Sequence, residues 1–255
     1  MAAAAFLRQG KKVSSRRAAR PHTGQLLTVS LAQIVAIGRN YADHVKELNN
    51  AIPREPFFFL KPTTSYLPSG GNVEIPRGIV AHHEGTPTRT RTSQATVSRK
   101  PPTAAQRAAP ADGPAALAVD MTARNLQEEV KRKGLPWSAV KGFDTFTPVS
   151  AFVPRAAVAD AHALTLSLQI NGALKQHGST ADMIFRIPRL VEHVSSIMTL
   201  EEGDLILTGT PSGIGPVAAG DAVECALADA SGNTLATLTF GAVDRAGGYH
   251  YQAAS

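Results

Sequence analysis

Leu164-Thr165-Leu166-Ser167-Leu168-Gln169-Ile170-Asn171-Gly172 alternates apolar and polar residues and then reaches Asn-Gly. Strict alternation marks a strand with one buried face, and Asn-Gly is the strongest short signal for a hairpin turn. To either side, Leu205-Ile206-Leu207 and the run 33–37 read as strands buried on both faces. Phe57-Phe58-Phe59-Leu60 is another such run, closed by Lys61-Pro62, and Asn72-Val73-Glu74-Ile75-Pro76 is a shorter one. Ala222 to Val243 reads as a hairpin around Ser231-Gly232-Asn233. Two segments carry helical spacing. Residues 121–133 place Leu126 and Val130 four apart and end at Gly134 and Pro136. Met183 to Met198 carries Ile184, Leu190, Val191, Val194 and Ile197, with Pro188 as a local flaw near its start. Strands outnumber helices and Gly/Pro turns are frequent, so the expected class is a β-rich α+β domain rather than a doubly wound sheet.

Composition sets the outer limits. A chain of 255 residues, 43% hydrophobic and 18% charged, suits one or at most two globular domains with a sizeable core. No stretch approaches the roughly 20 apolar residues needed to cross a bilayer as a helix. The single cysteine, Cys225, excludes a disulfide framework and reads as a small core residue. The net charge of +6 is local: Arg8, Lys11, Lys12, Arg16, Arg17 and Arg20 lie in residues 1–30 with no acid, and the remainder balances. Such an Ala- and Arg-rich, acid-free start reads as a mitochondrial or plastid transit peptide. The alternative is a basic arm for nucleic acid, but no aromatic or zinc pattern accompanies it.

From residue 31 to 255 the chain reads as one domain with an atypical interruption at 85–116. Residues 85–111 hold Arg89, Arg91, Arg99, Lys100 and Arg107, and Val97 is the one sizeable aliphatic side chain. Such a segment buries too little surface to offset chain ordering, and the expectation is a disordered loop.

Candidate chemistry is spread along the chain. Gly38-Arg39-Asn40-Tyr41-Ala42-Asp43-His44-Val45-Lys46-Glu47 comes directly after the first strand. His44 and Glu47 are neighbours on one helical turn, and a carboxylate beside an imidazole orients it and strengthens it as a base. Asp120 closes a short apolar run, a position from which a carboxylate can hold a hard cation, and His82-His83-Glu84 supplies a second carboxylate. Lys141 is flanked by apolar residues and reads as a partly buried ammonium facing an anion. Thr208-Gly209-Thr210-Pro211 offers hydroxyls and N–H groups suited to a carboxylate. Singly, each has a plainer reading: a surface acid at Glu84, a helix-start residue at Asp120, a solvated cation at Lys141, an ordinary turn at 208–216. His82 and His83 lack further ligands at zinc spacing.

In order, Gly38-Arg39-Asn40-Tyr41-Ala42-Asp43-His44, Phe59-Leu60-Lys61-Pro62, His82-His83-Glu84, Asp120-Met121-Thr122-Ala123-Arg124, Gly134-Leu135-Pro136-Trp137, Pro148-Val149-Ser150-Ala151-Phe152-Val153-Pro154, Asn171-Gly172 and Leu207-Thr208-Gly209-Thr210-Pro211 resemble the fumarylacetoacetate hydrolase family, in its mitochondrial acylpyruvase and oxaloacetate decarboxylase branch. The resemblance covers about 31–84 and 117–245. It implies a β-rich mixed sandwich or roll of the family's C-terminal-domain type, a homodimer, and a Mg²⁺ or Mn²⁺ site. It implies a small 2-oxo acid substrate, neither nucleic acid nor membrane as partner, and cleavage of a carbon–carbon bond through a pyruvate enolate. Keto–enol tautomerisation of oxaloacetate at the same site is the alternative. By the same resemblance Glu84 and Asp120 are metal ligands, and His44, Glu47 and Lys141 are catalytic. Arg39, Gln127, Thr208, Gly209 and Thr210 would position the substrate. The family's metal pair is Glu-x-Glu, and its second member falls at Thr86. That departure, together with the Arg/Thr/Pro stretch after it, reads as a replaced segment. It predicts weak metal binding and impaired activity.

Overall fold

The computed structural model describes residues 33–90, 114–201 and 203–253. In its first half the strands are β1 Ile34–Gly38, β2 Phe57–Lys61, β3 Tyr66–Pro68, β4 Asn72–Ile75, β5 Ala81–His83, β6 Gly85–Thr90, β7 Ala115–Val119 and β8 Thr122–Ala123. The second half adds β9 Thr147–Val149, β10 Thr165–Ile170, β11 Ala173–Ser179, β12 Leu205–Leu207, β13 Gly215–Val217, β14 Ala222–Ala228 and β15 Thr234–Asp244. Among the described residues the α-helices are α1 Ala42–Glu47, α2 Arg124–Arg132, α3 Ser138–Lys141 and α4 Ile187–Ile197. The β-rich α+β class is thus observed. The sheets are mixed: seven strands in the order β2-β1-β12-β6-β7-β9-β3, five in the order β11-β10-β14-β15-β4, and three in the order β13-β5-β8.

Burial tracks the sequence pattern closely. β10 alternates half-buried and buried residues, and Leu166, Leu168 and Ile170 enter the main core with Val223, Cys225 and Leu227 of β14 and Leu238 and Phe240 of β15. Asn171 and Gly172 both adopt positive φ, 51° and 77°, the conformation a two-residue hairpin turn demands. β7 is buried on both faces. Ala115, Leu117 and Val119 join the main core, while Ala116 and Ala118 pack with Ile34, Ala36, Leu205 and Leu207. The opposite face of β1, Val35 and Ile37, lies under Leu190 and Val194 of α4. The runs in β1, β7 and β12 therefore sit where both sheet faces are covered, and the alternating run sits where one is. The continuous run of β2 departs from this: β2 is an edge strand, and it leaves Phe57 39% and Leu60 44% exposed.

Three expectations are corrected. The helix read over 121–133 starts at Arg124, because Thr122 and Ala123 are committed as β8 to β5 and the Met121 N–H donates to the Phe146 carbonyl. The helix read over 183–198 starts at Ile187. Pro188 lies in its first turn, where a missing N–H costs nothing, so it is a start signal rather than a flaw. The stretch 85–116, expected to be disordered, begins as β6 and ends inside β7. β6 pairs with β12 on one side and β7 on the other, so backbone ladders supply what its composition does not. Residues 91–113 lie outside the described part, as does the expected leader 1–30.

Candidate active site

Strand β1 ends in Gly38, and Arg39 at φ 58° turns the chain out of the sheet. Positive φ is uncommon for a residue with a side chain, and here the bonds of the neighbouring Asn40 hold it in place. The buried Asn40 amide donates to the carbonyls of Phe185 (3.0 Å) and Thr208 (2.8 Å), and its oxygen accepts the Phe185 N–H at 2.8 Å. Those bonds fix the start of α1, which carries His44 and Glu47. His44 Nδ1 lies 3.0 Å from Glu47 Oε2. A carboxylate can only accept, so in the neutral ring Nδ1 carries the proton and Nε2 presents a lone pair. Glu47 Oε1 accepts the Gly213 N–H at 3.0 Å, which fixes the carboxylate in turn.

Behind this dyad lies a buried charge cluster. Lys141 Nζ, on α3, donates to Asp120 Oδ2 (2.7 Å), Thr122 Oγ1 (2.7 Å) and Glu84 Oε2 (3.1 Å). Lys61 Nζ, at the end of β2, donates to Asp120 Oδ1 (2.5 Å), the Phe146 carbonyl (2.8 Å) and the Met121 carbonyl (3.2 Å). Both lysine side chains are essentially excluded from solvent, at 0% and 1% exposure. Burial pushes Lys61 down to about 8, against the pull of Asp120. Burial also works against the charge on Lys141, but Asp120 and then Glu84 outweigh it and hold that ammonium above its ordinary value. Asp120 experiences the mirror image: burial works to raise it, and Lys141 and Lys61 together keep it below the usual carboxylate range. The Lys141 ammonium also sits 4.9 Å from the Phe59 ring centroid and 6.0 Å from that of Trp137.

An open cleft joins the two groups. His44, Arg39, Gln127, Glu84, Lys141 and Thr210 all line it, so six expected site residues meet around one cavity. Glu47 stands behind His44. Arg124, Lys131 and Trp137 complete the mouth, and sequence reading assigned none of them a role. The spacing of Arg124, Gln127 and Lys131 on one face of α2 was the available signal. Arg124 Nη1 donates to Gln127 Oε1 at 3.1 Å, which fixes the orientation of the Gln127 amide on the cleft wall. A smaller cavity adjoins, lined by Glu84, Thr86, Asp120 and Gly209.

The 208–211 loop differs from expectation. Thr208 is buried away from both cavities, and its carbonyl is taken by Asn40. The Thr210 hydroxyl is committed as well, donating to the Gly85 carbonyl at 2.7 Å and accepting from Gln176. The Thr208 carbonyl and the Thr210 hydroxyl thus brace the site, and Thr210 also lines both cavities. Lys61 leaves one trace in the sequence, an ionisable residue that ends an apolar strand.

The metal expected at Glu84 and Asp120 can be tested against these bonds. Both Asp120 oxygens receive ammonium protons, and Glu84 receives Lys141 on one oxygen and Thr122 Oγ1 on the other at 3.3 Å. Two carboxylates face two ammonium groups, so the cluster carries no surplus negative charge. The third position, Thr86, contributes a neutral side chain that is 2% exposed. Among the described residues no three His, Cys, Asp or Glu side chains converge as a cation site. The residues present do not fit a resident divalent cation.

Known proteins share this architecture. The profile of the fumarylacetoacetate (FAA) hydrolase C-terminal family matches residues 33–241. A bovine (Bos taurus) relative named mitochondrial oxaloacetate tautomerase FAHD1 is 49% identical over 199 residues, 76% of this chain and 86% of its own length. A Dictyostelium discoideum relative named mitochondrial oxaloacetate decarboxylase is 47% identical over 207 residues, covering 76% and 88%. The crystal structure of fumarylpyruvate hydrolase from Pseudomonas aeruginosa, in complex with Mn²⁺ and pyruvate, superposes with a TM-score of 0.72 at 28% identity, covering 84% of this chain and 91% of that one.

Proposed function

Because this chain belongs to the fumarylacetoacetate hydrolase family, we propose that it is an enzyme acting on small dianionic 2-oxo acids, with keto–enol tautomerisation of oxaloacetate as its main reaction. One observation carries the reading. The His44–Glu47 pair, with an Nε2 lone pair available, opens into the same cleft as Lys141, Arg39, Arg124 and Lys131. A base and a cationic wall on one cavity suit proton transfer at a carbon beside a carbonyl.

In the proposed reaction His44 Nε2 removes a proton from C3 of the keto acid, and the developing imidazolium is held by Glu47 through Nδ1. Electron density moves to the C2 oxygen, and the cations of the cleft wall, Arg39, Arg124 and Lys131, stabilise the enolate, since Asp120 and Glu84 already compensate Lys141. All three Lys141 protons are engaged, so it acts as a fixed charge and not as a proton donor. The His44 imidazolium then gives the same proton to the enolate oxygen, which yields the enol and restores the free Nε2, and the steps run in reverse towards the ketone. Arg39, Arg124, Lys131 and the Gln127 amide take the carboxylates. Tautomerisation starts and ends with neutral carbonyl or enol oxygen, so it makes the smallest demand on a site without a built-in dication.

Carbon–carbon cleavage, by decarboxylation or acylpyruvate hydrolysis, is the second reading, supported by the names of the Dictyostelium and Pseudomonas proteins. It develops a full enolate charge and would draw on Mg²⁺ or Mn²⁺ more heavily. A mitochondrial location and a homodimer complete the proposal; the relatives' names support the first, together with the basic, acid-free residues 1–30.

The test is turnover by the purified chain. The enol absorbance of oxaloacetate should decay faster with enzyme than without, in the presence of EDTA. His44→Ala should lose that acceleration by roughly a hundredfold or more. Equal rates for the two proteins would remove His44 from the chemistry, and no acceleration by the unaltered chain would remove the activity.

A further inference from the structure

β11 has one buried side chain, and it is polar: Gln176, 1% exposed. A buried amide costs free energy unless its groups are satisfied, and an apolar residue is the ordinary choice at such a position. Gln176 is placed there by a local irregularity. Leu168 pairs with Gln176 but Gln169 pairs with Leu174, so Lys175 is an extra residue in β11. Without that bulge, alternation would put Lys175 opposite Leu168 and turn Gln176 outward. Bulges that re-aim a side chain recur beside functional sites.

The amide is saturated by groups of the site. Oε1 accepts the Gly85 N–H at 2.8 Å and faces His83 Nδ1 at 3.1 Å. Nε2 donates to Thr210 Oγ1 at 2.8 Å and to the Pro211 carbonyl at 2.9 Å. Thr210 Oγ1 donates onward to the Gly85 carbonyl at 2.7 Å, which closes a ring. The peptide between Glu84 and Gly85 is thereby held at both ends, since the Glu84 carbonyl accepts the Asp120 N–H at 2.9 Å. On its other side the loop reaches Gly213, at φ 93°, where a Cβ would meet the Lys175 carbonyl at 2.1 Å. The Gly213 N–H is the donor to Glu47.

We propose that Gln176 is a positioning residue. It locks the Glu84 turn to the 208–213 loop, and so sets the His44–Glu47 base against the Glu84–Asp120–Lys141 cluster. This rests on the proton-transfer reading above. Gln176 touches no substrate and acts through Gly85, Thr210 and the loop that ends on Glu47.

Three variants of the full chain test it: Gln176→Met, which keeps the volume and removes every bond; Gln176→Glu, whose buried carboxyl, protonated, keeps an acceptor for Gly85 and a donor for Thr210; and Leu238→Ala, a core truncation in the same sheet. With oxaloacetate, Gln176→Met should lower kcat by roughly ten- to a hundredfold and leave KM within about threefold. Gln176→Glu should recover part of that loss. Leu238→Ala should lower the melting temperature with kcat retained. Amide hydrogen exchange supplies a readout independent of activity: Gln176→Met should lose protection at 84–86 and 208–215 and keep it at 222–228. Unchanged exchange in those two segments, or a kcat for Leu238→Ala as low as that of Gln176→Met, would overturn the proposal. Should the unaltered chain prove inactive, the tautomerase reading fails by itself, and the exchange result still decides whether Gln176 holds the two segments together. If Gln176→Met does not fold, the kcat and exchange of Gln176→Glu against Leu238→Ala decide the matter.

Discussion

Among single residues, the site is governed by how each charge is compensated. Lys61 and Lys141 would each be costly to bury alone, and Asp120 makes both tolerable by offering one oxygen to each. Thr86 then decides what the cluster can hold. Placing a carboxylate there would give the cavity beside Glu84 and Asp120 a surplus negative charge, which Thr86 does not supply. Thr86→Glu is therefore expected to raise Mn²⁺ affinity by about tenfold or more, equivalent to roughly 1.4 kcal/mol, when titrated by calorimetry. An equal affinity for the two proteins, or tight binding by the unaltered chain, would contradict this account. Individual residues are also where sequence reading reached furthest. His44 and Glu47 are three apart, and local spacing alone makes them neighbours. The partners of Asp120 come from positions 61, 84 and 141, and no local pattern links those.

For helices and strands, position in the sheet decides what each segment tolerates. α4 covers one face of β1 with Leu190 and Val194, and it leaves Ile197 60% exposed. Leu190→Ala should destabilise the protein by about 3 kcal/mol, because it opens a cavity over the strand that leads into the His44 helix. Ile197→Ala should stay within about 0.5 kcal/mol. Urea denaturation of both variants checks the contrast, and similar losses would mean that the helix packs differently. The same logic explains what the sequence hid. β6 and β11 lack a clean strand pattern because their places are set by neighbours: β12 and β7 flank β6, and β11 is stitched to β10 through a bulge. Pro188 reads as a breaker or a start signal depending on where the helix begins, and the Asn40–Phe185 bonds just before it settle that.

Across the entire fold, the small sheet carrying His82 and His83 ties acid sensitivity to stability. Burial lowers both imidazoles below their ordinary value of 6.5, and His83 is fully enclosed. Below 6.5 the unfolded chain therefore binds more protons than the folded one, so stability is fully present above that pH and falls as the pH drops towards the lowered folded values. Melting temperatures measured from pH 7.5 to 5.5 should decline, and His83→Gln should flatten part of that slope; an identical slope in the variant would locate the effect elsewhere. The strand-rich class, the hairpin at Asn171-Gly172, the buried Cys225 and the His44–Glu47 pair could all be read from the chain, because each depends on residues close together in it. That Thr208 and Thr210 brace the site, that Lys61 joins Lys141 on Asp120, and that Gln176 faces inward emerged only with the packed fold. Those outcomes depend on hydrogen-bond partners roughly 60 to 170 residues away, whose directions are set only when the sheets come together.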